Sequence, residues 1–431
     1  MVRILILIAV FSLPFTQALT LDTGFPLKIY EVTIVLSCIL VLARGKISLA
    51  PGARKELRIL IAFSILVLML LFIRTMFPAA GMDASAYANR YGPIGDGITK
   101  FMYILLNVCG FVFFSYYAFK DEKRVLTVWL VGAVLAAIYA WYLFVASMLG
   151  DTPLSLPGTA LSRKSFTYFA FPVIVSGTFR EGNFMGLYLL LSLAIALYTH
   201  RIKTAIFLSL TILVTHSTSC VLGLIVFWGL VVWKRCFQDR SPHKVFYVFL
   251  CVILVGTAGV YLKTSAYVTD VFTKKLFYSA AQGGSEAASR LDRLDMALRG
   301  IGMFKDNVLI GVGLSRYGYH YDYYHRPGRF FLKESRYDKP IANNVYIELL
   351  SELGLCGFCA FMFFLFSIYR RTRRKGFEYL RYGFIAMLLV FMAYPTFSIM
   401  FLWAFLAVVV GIFAKSQALD RLQFQPQMQP S

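Results

Sequence analysis

The sequence predicts an all-α polytopic membrane protein with about twelve transmembrane helices and a large, partly helical external loop between spans nine and ten. Of the 431 residues, 59% are hydrophobic and only 15% are charged, whereas a soluble domain is nearer half apolar and a quarter charged. The apolar residues form runs close to the length of about 20 residues that crosses a bilayer as a helix. The basic residues between those runs divide unequally between the two sides of the membrane.

Hydropathy places twelve spans along the chain. The run 203–233 is too long for one helix, and we divide it at the polar cluster THSTSC, residues 215–220. We interpret His216, inside this cluster, as a local capping or hydrogen-bonding residue. A signal peptide over residues 1–20 is an alternative to the first span, because TQA resembles a cleavage site. The spans are expected at residues 3–19, 28–43, 57–76, 101–119, 125–148, 183–199, 203–216, 218–233, 245–262, 343–368, 382–395 and 398–414.

The Lys and Arg residues lie mainly on one side of this arrangement. With the N terminus in the cytoplasm, the cytoplasmic loops are ARGKISLAPGARKELR, KDEKR, HRIK, KRCFQDRSPHK and RRTRRKGFEYLR. These loops hold twenty Lys and Arg, and the short loops on the other side hold about six. This asymmetry follows the positive-inside rule and places both termini in the cytoplasm. The net charge of +21 therefore mainly orients the chain, and we expect no nucleic-acid partner.

The topology divides the chain into four parts. Spans one to nine occupy 1–262, the external loop 263–342, spans ten to twelve 343–414 and a cytoplasmic tail 415–431. The external loop holds thirteen Lys and Arg, which is compatible with this orientation because long loops cross largely regardless of charge. The seven cysteines are dispersed and mostly within apolar segments. Such dispersion is typical of small core residues and does not indicate a disulfide framework or a metal site.

The large loop combines a helix with an aromatic segment. Leucines recur at helical spacing within residues 281–307, which predicts an amphipathic helix, and Arg290 and Arg293 lie on an adjoining stripe. The glycines of LIGVGLSRYG, residues 309–318, predict a tight turn. The loop therefore presents a cationic helix stripe followed by a backbone turn.

The segment YGYHYDYYHRPGRFFLKESRYDK, residues 317–339, is rich in Tyr and Arg and contains His320 and His325. Tyrosine offers a flat apolar face and a hydroxyl, a combination that suits the C–H faces and hydroxyl groups of sugars. Tyr317 and Tyr319 are therefore candidate glycan contacts. An aromatic belt at the membrane interface accounts for the same composition equally well.

Polar residues also occur at the start of span ten. Asn343 and Asn344 lie at the start of this span. Glu348 and Glu352 lie one turn apart on one helical face. A carboxylate within the membrane is costly and is a functional candidate by default. The alternative is a position near the interface or a structural pair with another helix.

A second charged motif precedes span six. The stretch VSGTFREGNFMG, residues 175–186, places Arg180, Glu181 and Asn183 where an apolar segment is about to begin. Because charge at this position is costly, we expect the motif to meet a charged ligand. An ordinary interfacial arginine is the alternative.

Taken together, these motifs resemble the O-antigen ligase and polymerase superfamily. SGTFREGNFMGLYLLLSLAIAL is similar to its earlier motif, and LTILVTHSTSCVLGL is similar to its short-loop motif. The ordered series of an R-x-x-R-x-x-x-A-L helix, LIGVGLSRYG and NNVYIELLSELGLCGF is similar to its carboxy-terminal signature. The resemblance covers about residues 180–358, with a compatible number of spans and topology.

The resemblance implies a metal-independent, GT-C-like glycosyltransferase without cofactors. It implies an active site on the periplasmic face of the bacterial inner membrane and a glycan substrate carried by undecaprenyl diphosphate. In this setting Arg180 and Arg290 would grip the departing diphosphate, with Arg293 in support. Guanidinium suits this role because it binds phosphate oxygens bidentately and keeps its charge.

The acceptor is a sugar hydroxyl, so a general base must take its proton. Glu181 is the candidate base. His320, His325 and Glu348 are rivals, and Asn344 is expected to orient the substrate.

Within the superfamily the motifs favour a polymerase. Ligases carry a histidine near the start of the span after the large loop, where this chain has Asn343 and Asn344, and they carry Ser-Arg-Gly where it has HSTS. FREGN is similar to the motif of repeat-unit polymerases. We therefore expect an inverting O-antigen or related surface-polysaccharide polymerase of lipopolysaccharide biosynthesis. It would transfer a growing glycan from undecaprenyl diphosphate to the non-reducing end of another lipid-linked repeat.

An O-antigen ligase acting on lipid A–core is the near alternative to the polymerase. A lipid-linked-sugar flippase is the distant alternative, although this chain lacks the paired repeats that many transporters show. Membrane lipid and a chain-length regulator protein are the expected partners.

Overall fold

Helices form nearly all the regular structure in the computed structural model, as the apolar runs predict. Strand pairing among the described residues is limited to two antiparallel pairs of two residues each, Leu21–Asp22 with Pro26–Leu27 and Arg163–Lys164 with Val173–Ile174. The structure describes residues 1–22, 26–44, 49–50, 52–85, 91–149, 154, 156, 163–164, 173–215, 217–238, 280–324 and 339–424.

Twelve α-helices lie within these described ranges, and we number them in chain order. A short π-helix, Lys234–Gln238, extends α8, and 3-10 turns occur at Gly318–His320 and Phe391–Ala393. The α-helices are α1 Val2–Ser12, α2 Ile29–Ala43, α3 Arg54–Met76, α4 Gly92–Lys120, α5 Glu122–Leu149, α6 Gly182–Tyr198, α7 Ile202–Val214, α8 Thr218–Trp233, α9 Ala280–Asp306, α10 Val345–Thr372, α11 Glu378–Val390 and α12 Met400–Phe424.

The all-α polytopic membrane class is confirmed. Among the described helices, α3, α4, α5, α8, α10 and α12 are long and apolar enough to cross a membrane, and α1, α2, α6 and α7 are shorter apolar helices. Eleven of the twelve expected spans fall on helices, and the span expected at 245–262 lies outside the described residues. The helix expected at 281–307 is confirmed as α9.

The first span is shorter than expected. We predicted a helix over residues 3–19, but α1 ends at Ser12. Pro14 follows and has no N–H to continue the helical hydrogen bonds. The residues after Pro14 instead bond to a turn that is distant in the sequence. The N–H groups of Gln17 and Ala18 donate to the carbonyl of Thr178 at 3.2 and 3.3 Å.

Helix α6 is surrounded by the other helices. All residues from Met185 to Leu197 are buried, as expected for a helix that is apolar on every side. A few internal bonds satisfy its polar groups; the indole N–H of Trp129, on α5, donates to the hydroxyl of Ser192 at 2.8 Å. The helix has 17 residues and is therefore about 25 Å long at about 1.5 Å per residue. This is shorter than a hydrocarbon layer of about 30 Å.

Helix α10 is broken at Gly354, and the loop after α9 fills the break. Gly354 has φ 64° and ψ −167°, which interrupts the helical hydrogen bonding. Four backbone hydrogen bonds join the loop to the freed groups: Val312 N–H to Ser351 O at 2.8 Å, Gly313 N–H to Glu352 O at 2.9 Å, Leu355 N–H to Val308 O at 2.8 Å and Cys356 N–H to Leu309 O at 3.2 Å. We call this arrangement the interlock. Irregular backbone at membrane depth is tolerated where protein supplies such partners.

Two glycines permit the close backbone approach in the interlock. A Cβ on Gly354 would lie 2.4 Å from the carbonyl carbon of Leu309, and a Cβ on Gly311 would lie 2.4 Å from that of Glu352. Both glycines have positive φ values of 64°, which side chains disfavour. The geometry of the interlock therefore favours glycine at these two positions.

We expect Gly354→Ala to destabilise the protein by at least about 1–3 kcal/mol, because it adds backbone strain and a steric clash. Thermal unfolding of the purified protein in detergent measures the effect. Gly229→Ala in α8 is the matched control, since nothing lies within 4 Å of its added Cβ. Equal melting temperatures for the two variants would show that the interlock does not limit stability.

Candidate functional site

The Arg180 motif lies on a turn whose backbone is tightly held. Gly177 adopts a φ of 57°, and the Thr178 hydroxyl donates to the carbonyl of Pro14 at 2.6 Å. Phe179 is fully buried. Arg180 and Glu181 follow and are exposed, so fixed backbone presents two charged side chains at the N terminus of α6.

Asn183 belongs to the first turn of α6 and joins it to α8. Its side-chain oxygen accepts from the N–H of Phe184 at 2.8 Å, and its carbonyl accepts from the thiol of Cys220 at 3.4 Å. Cys220 is the last residue of the polar cluster between α7 and α8 and belongs to the first turn of α8. Asn183 therefore holds the motif in place through its backbone and side chain together.

The segment between α11 and α12, residues 391–399, connects several predicted site residues; we call it the connecting segment. Three contacts attach it to its neighbours: Asn344 Nδ2 donates to Met392 O at 2.8 Å, the rings of Phe184 and Tyr394 lie 5.1 Å apart, and Phe397 N–H donates to Glu348 Oε2 at 3.2 Å. The connecting segment thus brings the N termini of α6 and α10 to one end of the helix bundle.

Tyr394, in the connecting segment, lies against the Arg180 motif. It is fully buried, and its hydroxyl has no hydrogen-bond partner among the described residues. The carboxylate of Glu181 is close enough to interact with it electrostatically. A buried hydroxyl without a partner is unfavourable, so Tyr394 is a further candidate for contact with a ligand.

Glu348 and Glu352 share one buried cation. Lys100 Nζ, on α4, lies 2.6 Å from Glu348 Oε1 and 2.7 Å from Glu352 Oε2. The N–H of Ser315 also donates to Glu352 Oε2 at 2.9 Å. Both carboxylates are about 95% buried. We call these three charged residues the ionic triad, and it connects α4 and α10 to the loop of the interlock.

A second ion pair holds the residues that follow the interlock against the start of α4. Asp96 Oδ2 accepts from Tyr319 Oη at 2.9 Å and from Lys339 Nζ at 2.7 Å. Lys339 Nζ also donates to the carbonyl of Ser315 at 2.6 Å. Burial lowers the pKa of Lys339, and the adjacent Asp96 opposes that shift. The hydroxyl of Tyr319 is therefore engaged within the protein.

Arg74 and Arg316 join the end of α3 to the interlock. Arg74 donates to the carbonyl of Gly311 and the amide oxygen of Asn307, both at 2.7 Å. Arg316 donates to the carbonyl of Arg74 at 2.5 Å and the hydroxyl of Thr75 at 3.0 Å. Cations at a helix C terminus complement its dipole. These two arginines therefore stabilise the end of α3.

His320 is fully buried beside this pair, and its Nδ1 lies 3.0 Å from the carbonyl of Arg316. Burial lowers its pKa, which favours the neutral imidazole. The nearby guanidinium groups of Arg74 and Arg316 reinforce this direction. The role of His320 as a general base stays a prediction.

The remaining predicted residues divide between exposed and structural positions. Arg293 is exposed on α9, whereas Tyr317 is buried and its hydroxyl donates to the carbonyl of Met296. Asn343 has a φ of 50°, a conformation that Asn tolerates, and its Nδ2 contacts Met296 Sδ at 3.2 Å. Asn344 is the N-cap of α10, and its side-chain oxygen accepts from two N–H groups of the first turn.

The structure therefore groups Glu181, Asn183, Asn344 and Glu348 around the connecting segment. Arg290 lies in α9, but its side chain is outside the described residues, as are His325 and His216. The roles that we predicted for all these residues stay predictions. Within the described part of the chain, no three His, Cys, Asp or Glu side chains cluster as a metal site would require.

Sequence reasoning missed Lys100 and Tyr394. Lys100 stands just before the apolar run of span four, and that position was a signal for a cation at membrane depth. Its pairing was hidden because Glu348 is 248 residues away. Tyr394 fell inside the apolar run of span eleven, where nothing in the local pattern distinguishes it from a core aromatic residue.

We expect Lys100→Met to destabilise the protein by about 3–5 kcal/mol, because it leaves two buried carboxylates without their cation. Adding Glu348→Gln and Glu352→Gln to this variant should restore much of the loss. Denaturant unfolding in detergent measures both effects. Lys305→Met, at an exposed position on α9, is the control and should change stability by less than about 0.5 kcal/mol. A triple variant no more stable than Lys100→Met would contradict the ionic explanation.

Comparison with known proteins concerns the part of the chain from α7 to α10. No curated protein matches the chain. Residues 204–362 match the family model described as O-antigen ligase. The match includes α9, the interlock and both carboxylates of the ionic triad. Residues 204–362 are thus similar to the O-antigen ligase family, and this similarity supports the O-antigen ligase and polymerase superfamily for that part of the chain.

Proposed function

We propose that the protein is an inverting repeat-unit polymerase of O-antigen or a related surface polysaccharide. The observation that carries this proposal is the exposed Arg180–Glu181 pair, held on fixed backbone and joined through the connecting segment to α10 of the matched domain. A glycosyl transfer from a lipid diphosphate needs a cation for the leaving group and a base for the acceptor. This pair supplies both kinds of group on adjacent residues.

In the proposed reaction, a hydroxyl oxygen of the acceptor repeat attacks the anomeric carbon of the donor glycan. The bond from that carbon to the diphosphate oxygen breaks, and undecaprenyl diphosphate leaves with the electron pair. Arg180 and Arg290, with Arg293 in support, stabilise the charge that develops on the leaving group. Glu181 takes the hydroxyl proton. One direct displacement inverts the anomeric centre and requires no metal ion.

The surrounding residues position these groups. The ionic triad and Asn344 hold the start of α10 against the connecting segment, and the connecting segment places Tyr394 beside Glu181. The short length of α6 suits a lipid-anchored donor, because its N terminus need not reach the full height of the hydrocarbon layer. We place this end of the bundle on the periplasmic face of the inner membrane, where a chain-length regulator could bind.

We expect Arg180→Ala and Arg290→Ala each to slow polymer formation about 100–1,000-fold, the usual loss when a group that stabilises the developing charge is removed. The measurement is the ladder of products formed by purified protein from lipid-linked repeats alone, in the presence of a chelator. Arg54→Ala, an exposed arginine at the start of α3, is the control and should retain full activity. Undiminished ladders from Arg180→Ala would remove that residue from the proposed clamp.

The second candidate function is O-antigen ligation, which the description of the matched family model favours. A ligase would transfer the glycan to lipid A–core and would form no ladder without that acceptor. A flippase would form no glycosidic product under either condition. The in vitro reaction therefore distinguishes all three functions.

Cells that lack the protein provide a second test. We expect their lipid A–core to carry single repeats, because ligation continues after polymerisation stops. Gel electrophoresis of the surface glycan measures the length distribution, and complementation with the wild-type chain is the control. Core without any attached repeat would instead contradict the polymerase, because it is the result expected for loss of a ligase or of a flippase.

A further inference from the structure

A cavity of about 610 Å³ lies at the opposite end of α6 from the Arg180 motif. The first turn of α5, the end of α6, the π-helix after α8, the start of α11 and Lys415 of α12 form its wall. These residues belong to four of the loops that the positive-inside rule assigns to the cytoplasm, together with the end of the last helix. We call it the basal cavity.

Cations outnumber carboxylates in the lining of the basal cavity. Four cations and two carboxylates line it: Lys123, Lys234, Arg235 and Lys415 with Glu122 and Glu378. Lys415 pairs with Glu122 at 3.1 Å, and Lys234 pairs with Glu378 at 3.5 Å. Lys123 is exposed and forms no ion pair or side-chain hydrogen bond with a described residue. The lining therefore carries an excess of positive charge that suits an anion.

Two helix N termini add to this preference. Helices α5 and α11 both begin at the cavity, with Glu122 and Glu378 as their first residues. The first N–H groups of a helix and its dipole favour negative charge. Tyr198 and Tyr379 also line the cavity; Tyr198 donates to Glu122 at 2.9 Å, and Arg235 donates to Tyr379 at 3.0 Å.

The surroundings of the cavity favour a lipid over a small soluble anion. Trp233 and Ile202 lie within two residues of the lining and are 56% and 59% exposed, so apolar side chains face outward beside the cations. Tyrosine and tryptophan are enriched at membrane interfaces, and basic pockets between transmembrane helices bind anionic head groups. We propose that the basal cavity binds the phosphate of an anionic phospholipid, with Lys123 and Arg235 at the phosphate and the acyl chains along Trp233 and Ile202.

Native mass spectrometry of the full-length protein in neutral detergent tests this proposal, with phosphatidylglycerol as the probe and phosphatidylcholine for comparison. We expect tighter binding of phosphatidylglycerol. Removing each cation should weaken that binding about fivefold, so that Lys123→Ala with Arg235→Ala weakens it about 25-fold. Arg124→Ala is the matched control, because Arg124 is an exposed cation in the same turn as Lys123 but outside the lining. It should bind as the wild type does.

Three outcomes would overturn the proposal. Unchanged phosphatidylglycerol binding by the double variant would remove the basal cavity as the site. An equal loss in Arg124→Ala would mean that the lipid responds to the general charge of this face. Binding of inorganic phosphate at the same concentration and to the same extent as phosphatidylglycerol would assign the cavity to a soluble anion. The assay measures binding alone, so its result does not depend on whether the protein is a polymerase.

Discussion

Four backbone hydrogen bonds at the break in α10 hold the loop after α9 against the helix bundle. Inside a bilayer no water is present to satisfy backbone N–H and carbonyl groups, so a broken helix must find its partners within the protein. The loop after α9 supplies them at Gly354. Because that loop is bonded to α10, its next residues are fixed as well, and Ser315 reaches Glu352 of the ionic triad. The position of residues 308–315 thus follows from the requirement of a single broken helix.

Most charges near the interlock are used to hold the structure together. Lys100 is shared by two carboxylates, Asp96 binds Lys339, and Arg74 and Arg316 donate to carbonyl and hydroxyl groups at the end of α3. Unpaired charge would be costly at these buried positions. Arg180 and Glu181 differ because their side chains are exposed, while the turn directly before them is buried and held by hydrogen bonds. This difference separates charges that stabilise the fold from charges that can meet a ligand.

The fold could be predicted from the sequence wherever a local pattern decides it. Apolar runs located the helices, and leucine spacing located α9 within the large loop. The break at Gly354 could not be predicted, because the apolar pattern continues on both sides of it and the cause is a loop brought in from elsewhere. The aromatic segment shows the same limit. Tyr317 and Tyr319 have the composition of a glycan-binding surface, yet their hydroxyls are bound by Met296 and by Asp96, the latter 223 residues away.

The sequence motifs indicated the candidate site residues. They did not indicate the connecting segment that supports these residues. The sequence indicated Arg180, Glu181, Asn344 and Glu348 separately. The connecting segment, which bonds to Asn344 and Glu348 and lies near Glu181, has the pattern of an ordinary apolar segment. Such support matters for the proposed chemistry, because stabilisation of a developing charge depends on groups that are oriented before the reaction begins. Helix α6 provides a rigid base for this orientation, since every residue from Met185 to Leu197 is buried. The turn bonded to Pro14 fixes its entry, so in the proposed reaction only the side chains of Arg180 and Glu181 would need to adjust to a lipid-linked diphosphate.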